Sequence, residues 1–231
     1  LSLIKLAYWQ QSRAEEKQQR LTRIEQLAQQ TGLTLAQLQA VEQKLPAQET
    51  INDYPVQLSG EFLGEYMFFL DNQVNKGRLG YRVFQVFASA EQWLLVNLGW
   101  VAGSINRQEL PAILPLTGPY QFKGHVRFIE SGIVLQEEFF SQVDWPLRVQ
   151  QISLEKFSTL LNLPLLPFVV YVDKQAELGY EKNWQPIVMP PEKHSAYAFQ
   201  WFSLSIAWLI LMMAVSGMFT CSHKKTYKEN K

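Results

Sequence analysis

The sequence has little charge, a single cysteine and only three histidines among its 231 residues. Lys+Arg and Asp+Glu number 21 each, so the net charge is zero, which argues against a nucleic-acid-binding protein with its basic face. Charged residues make up 18%, whereas soluble domains have about 25%. Because Cys221 is the only cysteine, the chain has no pair from which to form an internal disulfide.

Catalytic motifs that can be read from a sequence are also missing. There is no G-x-S-x-G elbow, no H-E-x-x-H, no Walker loop and no G-x-G-x-x-G. His125 lies in a predicted strand, and we interpret it as a half-exposed structural histidine rather than a general base. Glu137 and Glu138 are adjacent, so in a strand they would point to opposite faces. We therefore predict that the protein is not an enzyme.

Charge is absent altogether from Ser195 to Cys221. The centre of this run, Phe199 to Phe219, would be about 31 Å long as a helix at about 1.5 Å per residue. That length matches the hydrocarbon core of a bilayer, which is about 30 Å thick. We therefore predict a transmembrane helix over residues 195–221.

The flanks of this run predict its orientation. Residues 222–231 carry four lysines and one glutamate, a net charge of +3, and positive tails stay in the cytoplasm. At the other end, Leu1 to Ile4 is apolar, and Trp9 and Arg13 follow it like interface anchors. We expect residues 1–10 to be the end of a first, truncated transmembrane helix, which places the domain of residues 11–193 outside, in the periplasm or the intermembrane space.

The pattern between the two membrane segments predicts a small, mainly antiparallel β domain that carries helices. A polar helix is expected over residues 12–30, a second from the capping box of Thr34 and Gln37 to Lys44, and a third from Ser153 to Leu161. Strands are expected at 55–63, 66–71, 80–88, 92–98, 120–129 and 167–173, with a hairpin between the third and the fourth. The predicted fold class is an α+β membrane protein in which two transmembrane helices flank this domain.

His194 is the histidine that stands out. It follows Pro190 and Pro191, which end an extended segment, and it falls where the predicted membrane helix leaves water. Helical spacing places five residues along its face: Ala198, Trp201, Ser205, Trp208 and Met212. Because neutral imidazole is a common axial ligand of haem iron, His194 is a candidate ligand. The alternative is a histidine that only anchors the helix at the lipid headgroups.

These residues carry a resemblance. Lys193 to Leu204, KHSAYAFQWFSL, resembles the signature that opens the second membrane helix in the surfeit-locus family of cytochrome c oxidase assembly proteins. Further pieces similar to the family's motifs are Leu6-x-x-Trp9-Gln10-x-x-Arg13-x-x-x-Lys17, Gly80-Tyr81-Arg82-Val83, Val96-Asn97-Leu98-Gly99-Trp100-Val101, Trp145-Pro146, Val149-Gln150, Pro164-Leu165 and Trp184. They occur in family order along nearly the whole chain.

The resemblance implies a role in the biogenesis of a haem-copper oxidase. It implies that haem a is bound, with His194 as the iron ligand and Tyr197 and Trp201 as further cofactor-binding residues. The implied partners are the oxidase catalytic subunit, other assembly factors, haem a synthase and membrane lipid. The resemblance implies a multi-pass membrane topology, and we expect the bacterial inner membrane in preference to the mitochondrial one because no transit peptide is visible. The alternative is a structural assembly module that stabilises an oxidase intermediate without binding haem.

Two residues depart from the family pattern, and the first, Ala7, replaces a glycine. Leu98 stands where the family usually has arginine, and leucine cannot make the bidentate contact with a carboxylate or propionate that a guanidinium makes. Arg82 and Arg107 are the candidates, by proximity in sequence, for supplying such a contact.

Overall fold

The computed structural model describes residues 2–47, 49–104, 106–107, 109–129 and 143–226, with side chains up to residue 216 in the last helix. Glu137 and Glu138 lie outside the described residues. The chain divides into two compact units. One unit consists of Leu1–Arg23 with Gln185–Lys231, and the other is Ile24–Trp184.

The described residues form four helices and six strands. The helices are α1 Ser2–Ala28, α2 Leu35–Glu42, α3 Leu154–Leu161 and α4 Pro191–Thr226; the strands are β1 Pro55–Asn75, β2 Arg78–Ser89, β3 Gln92–Ala102, β4 Gly118–Arg127, β5 Leu147–Val149 and β6 Leu165–Val172. The predicted capping box is present, because the Thr34 side chain accepts from the Gln37 amide and the Gln37 side chain accepts from the Thr34 amide. The third predicted helix is present as α3, and Ser153 is its N-cap.

Two predicted elements have different bounds in the structure. The strands expected at 55–63 and 66–71 are one long strand, β1, whose register shifts after Phe62 and again after Leu70. Such irregularities bend a strand, so β1 pairs with β4 through its first part and with β2 mainly through the rest. The polar helix expected over 12–30 begins at Ser2 and includes the apolar start of the chain.

The six strands form one sheet in the order β2-β3-β6-β4-β1-β5, and β1 also pairs with β2. This extra pairing closes five of the strands into a ring, with β5 attached beside β1. The predicted hairpin is confirmed as the antiparallel pair β2–β3. The sheet is mainly antiparallel, as expected, and the parallel pairs are β1–β5 and β3–β6. The fold class of the β domain, mixed α and β with a mainly antiparallel sheet, is therefore confirmed.

Alternate residues of the strands fill two hydrophobic cores, because successive side chains of a strand point to opposite faces. One core contains Phe69, Val83, Val96 and Val170, and α2 contributes Leu38 to it. The other core contains the neighbours of these residues, such as Phe68, Phe84, Leu95 and Val169, which pack against Phe157 of α3. The sheet is therefore buried on both faces, which explains its nearly continuous apolar strands.

The apolar run near the C-terminus is helical, as predicted, and α4 begins at Pro191 instead of Ser195. Residues Pro191–Ser216 have a mean hydropathy of 1.8, and only 11% of their most apolar window is buried. Among the described residues, this is the one helix long and apolar enough to cross a membrane. The first transmembrane helix, expected at residues 1–10, has no such counterpart in the described part of α1, so the architecture with two transmembrane helices stays a prediction.

Candidate functional site

The unit that contains α4 is built from two helices with buried stripes. On α1 the buried residues Ala7 and Ala14 are one heptad apart, and on α4 His194, Ala198 and Ser205 follow at spacings of four and seven. A repeat of three and four residues places side chains along one face of a helix. His194 therefore belongs to the buried face of α4, and only 8% of it is exposed.

His194 is held by a residue from the other helix. Its Nδ1 lies 2.7 Å from Oε1 of Gln10, on α1. An amide oxygen only accepts hydrogen bonds, so Nδ1 must carry the proton and donate it. In the neutral ring the lone pair is then on Nε2, which makes no hydrogen bond to any residue that the structure describes. This is the tautomer in which metal-ligating histidines are usually held by a second residue.

The other predicted site residues lie on the same helix. Trp201 is two turns beyond His194 on the same stripe and is half-buried. Tyr197 lies one turn beyond His194, beside the stripe, and is 46% exposed. Trp208 and Met212 were expected to continue the face of His194, but both are exposed, so the buried stripe ends at Ser205 within the described side chains.

An open groove of about 310 Å³ lies beside the two stripes. It is lined by Ala7, Tyr8 and Gln11 of α1 and by Ser195, Ala198, Phe199 and Phe202 of α4. Ser195 is the neighbour of His194 in the chain, and Gln11 is the neighbour of Gln10. One turn further along α1, Arg13 bonds to Glu16 at 2.6 Å, and this hydrogen bond lowers the pKa of the Glu16 carboxyl.

The second histidine lies in the β domain and departs from its prediction. His125 is in strand β4 as expected, but it is buried rather than half-exposed because Trp184 packs over it with the ring centroids 4.0 Å apart. Its Nδ1 lies 3.6 Å from Asp173 Oδ1. His125, Asp173 and Trp184 border a cavity of about 300 Å³, whose described lining has no serine, threonine or cysteine for a histidine to activate. This arrangement does not form a hydrolytic triad.

The comparison with protein families decides what kind of protein carries these features. The profile of the SURF1 family, the surfeit-locus family, matches residues 1–206, which include both Gln10 and His194. The chain belongs to the SURF1 family. This family is associated with cytochrome c oxidase assembly, and its members are assembly factors rather than known enzymes. A comparison with individually curated proteins gives no match.

The SURF1 motifs of the β domain have structural roles. Asn97 accepts a hydrogen bond from the Gly99 amide, and Gly99 has φ +116°, a backbone conformation that favours glycine. The chain at Tyr180 and Glu181 docks there, because the Tyr180 amide donates to the Leu98 carbonyl and the Trp100 amide donates to the Glu181 carbonyl. The motif around Gly99 therefore holds the segment at Tyr180 and Glu181 against β3.

Leu98, the second residue that departs from the expected family pattern, is a core residue. Leu98 is fully buried in the cluster that contains Phe69 and Val96. Arg82 and Arg107 were the two arginines proposed to replace the family arginine. The guanidinium carbon of Arg82 lies 5.9 Å from the ring centroid of Tyr171, and Tyr171 belongs to the core that contains Phe68. Arg107 donates to Asn72 at 2.9 Å and pairs with Asp71. Both arginines therefore have partners of their own.

Sequence reasoning identified His194 but missed the role of Gln10, which it recorded only as one letter of a motif. The signal was the presence of both residues in the SURF1 signatures. Their partnership could not be read from the sequence because they are separated by 184 positions.

Proposed function

We propose that this SURF1-family protein is an assembly factor for cytochrome c oxidase that binds haem a through His194 and aids its delivery or insertion into the catalytic subunit. The observation that carries the proposal is the hydrogen bond from His194 Nδ1 to Gln10 Oε1. It leaves the Nε2 lone pair as the donor atom that haem iron takes from axial histidines. When bound, the haem would supply an iron atom that this nitrogen could ligate.

The surroundings of His194 are apolar. Ala7 and Ala198 are small and buried, so the neighbouring helices leave a groove beside the histidine. Tyr8, Phe199 and Phe202 border this groove with aromatic rings. Gln10 orients the imidazole, and the groove leaves room beside it for an apolar part of the ligand. Tyr197 and Trp201 are proposed as further contacts because they follow His194 within two turns of α4.

The proposed setting follows from the charge and hydropathy of the chain. α4 crosses the membrane, the lysine-rich tail of residues 222–231 faces the cytoplasm, and residues 11–193 face the periplasm of a bacterial inner membrane. Residues 1–10 belong to a first membrane helix. A ligand held where a helix leaves the bilayer can pass from a membrane-bound haem a synthase to the oxidase catalytic subunit without exposure to water.

The test is the optical spectrum of the full-length protein purified in detergent from cells that make haem a. We expect a Soret band and an α band typical of haem a with a nitrogen ligand. The control is the same protein from cells unable to make haem a, which should lack the α band of haem a. A colourless protein from both sources, together with retained co-purification of the catalytic subunit, would replace this proposal with the structural assembly module.

Gln10→Leu is expected to weaken haem a binding by about 10- to 100-fold, the usual effect of losing the residue that orients a metal-ligating histidine. In the haem-free protein, the nitrogen shifts of His194 in a ¹⁵N NMR spectrum should show a proton on Nδ1, and this preference should be lost in Gln10→Leu. Gln10→Glu, whose carboxylate also accepts from Nδ1, should restore it. Gln19→Leu, an exposed glutamine of the same helix, is the matched control. A proton on Nε2 in the wild-type protein would contradict the assignment.

A further inference from the structure

The groove beside His194 is lined mainly by apolar side chains, so it can bind a part of the ligand that does not contact iron. Its floor contains Ala7 and Ala198, which are 3% and 9% exposed, and its walls contain Phe199 and Phe202. Of its polar side chains, Gln11 already donates to Glu15 at 3.2 Å on its own helix. The groove therefore offers its ligand shape and apolar contact, with few hydrogen bonds.

The groove lies next to His194, so a ligand of His194 can also contact the groove. Ser195 follows His194 directly, and Ala198 lies one turn beyond it on the same buried stripe. A molecule bound at His194 therefore has the groove next to it. The volume of about 310 Å³ is within the size range of pockets for small ligands.

We propose that this groove binds the farnesyl chain of haem a and thereby selects farnesylated haems over haem b, which lacks the chain. The inference rests on the proposed function, because it assigns a second contact to the same ligand. The farnesyl chain is apolar and branched, so it matches a lining of alanine and aromatic side chains. Phe199 is 76% exposed and Phe202 is 46% exposed, which leaves both rings accessible to a ligand.

Selectivity in this groove comes from packing. Lipid chains are as apolar as the groove, so in a membrane the driving force is close contact rather than removal from water. A chain that fills the groove gains many small dispersion contacts, which a haem without the chain does not make. We expect a preference of about tenfold, which corresponds to about 1.4 kcal/mol of additional packing.

The experiment titrates haem-free full-length protein, in nanodiscs, with haem a, haem o and haem b, and follows the Soret shift. Haem o has the farnesyl chain but lacks the formyl group of haem a, so the comparison of haem o with haem b isolates the chain. Haem a and haem o should bind with similar affinity, and haem b about tenfold more weakly. The Soret shift of haem b reports ligation by His194 independently of the chain.

Two variants test the groove from opposite sides. Ala198→Leu fills the floor and Phe202→Ala removes a wall, and each should reduce the affinity for haem a and haem o to that for haem b while leaving haem b unchanged. Ala207→Leu, at an exposed position of α4, is the matched control and should retain the preference. Because Ala198 also packs on the buried stripe, Phe202→Ala supplies the test if Ala198→Leu perturbs the helix pair.

Three results would overturn the inference. Equal affinity of the wild-type protein for all three haems would exclude the chain contact while leaving haem binding at His194 in place. An equal loss for all three haems in both groove variants would show that the groove supports the histidine and that its occupant is lipid. If no haem binds, the proposed function fails, and this inference fails with it.

Discussion

His194→Ala is expected to abolish the haem absorbance of the purified protein. Nε2 of His194 is the proposed iron ligand, and alanine supplies no atom that could replace it. The helix content measured by circular dichroism should stay unchanged, because alanine is the residue that a helix tolerates best. The measurement is the haem content per polypeptide, from the pyridine haemochrome spectrum of wild-type and variant proteins purified side by side.

The matched control for His194→Ala is Lys193→Ala. Lys193 precedes His194 in the same turn of α4 but is exposed, so its removal should leave haem content near that of the wild type. A variant His194→Ala with an unchanged spectrum and occupancy would show that the ligand is another residue. Co-purification of the oxidase catalytic subunit should be measured in parallel, because co-purification that persists without haem would favour the structural assembly module.

Leu98→Arg is expected to destabilise the β domain by about 3 kcal/mol or more, the cost of a buried charge without a partner. Leu98 is 0% exposed, and it packs in the core formed by Phe69 and Val96. A guanidinium at this position would lose its hydration without a carboxylate to pair with. The measurement is the urea dependence of tryptophan fluorescence, and the expected result is a transition shifted to lower urea.

The control for Leu98→Arg is Leu114→Arg, because Leu114 is 87% exposed. The same chemical change there should alter the free energy of unfolding by about 0.5 kcal/mol or less. A Leu98→Arg variant as stable as the wild type would show that the core accepts the arginine that is usual in the family. The expected result instead assigns the departure at Leu98 to the packing of the core that contains Phe69 and Val96.

Much of the fold could be predicted from local sequence patterns. The capping box of Thr34 and Gln37 located α2, and the apolar segments on either side of Ala90 and Glu91 located the β2–β3 hairpin. These signals involve neighbours in the chain, so the sequence carries them directly. The joining of two predicted strands into β1 was missed because irregular register interrupts the alternation of apolar residues there.

The closure of the sheet could not be predicted in the same way. It depends on β1 pairing with both β2 and β4, and β4 begins about 60 residues after the start of β1. Such contacts arise only when the chain has folded, since a local pattern specifies a strand but not its partner. The burial of His125 has the same cause, because Trp184 covers it from a distant part of the chain.

The sequence by itself determined the apolar helix α4 through a long run without charge. It also placed His194, the candidate ligand, at the start of that helix. It also carried the family motifs. Only the tertiary structure decided that Gln10 holds His194 and that small residues of α1 and α4 leave a groove beside it. The physical reason is distance along the chain: a hydrogen bond between residues 184 positions apart requires packed helices, which no local pattern records.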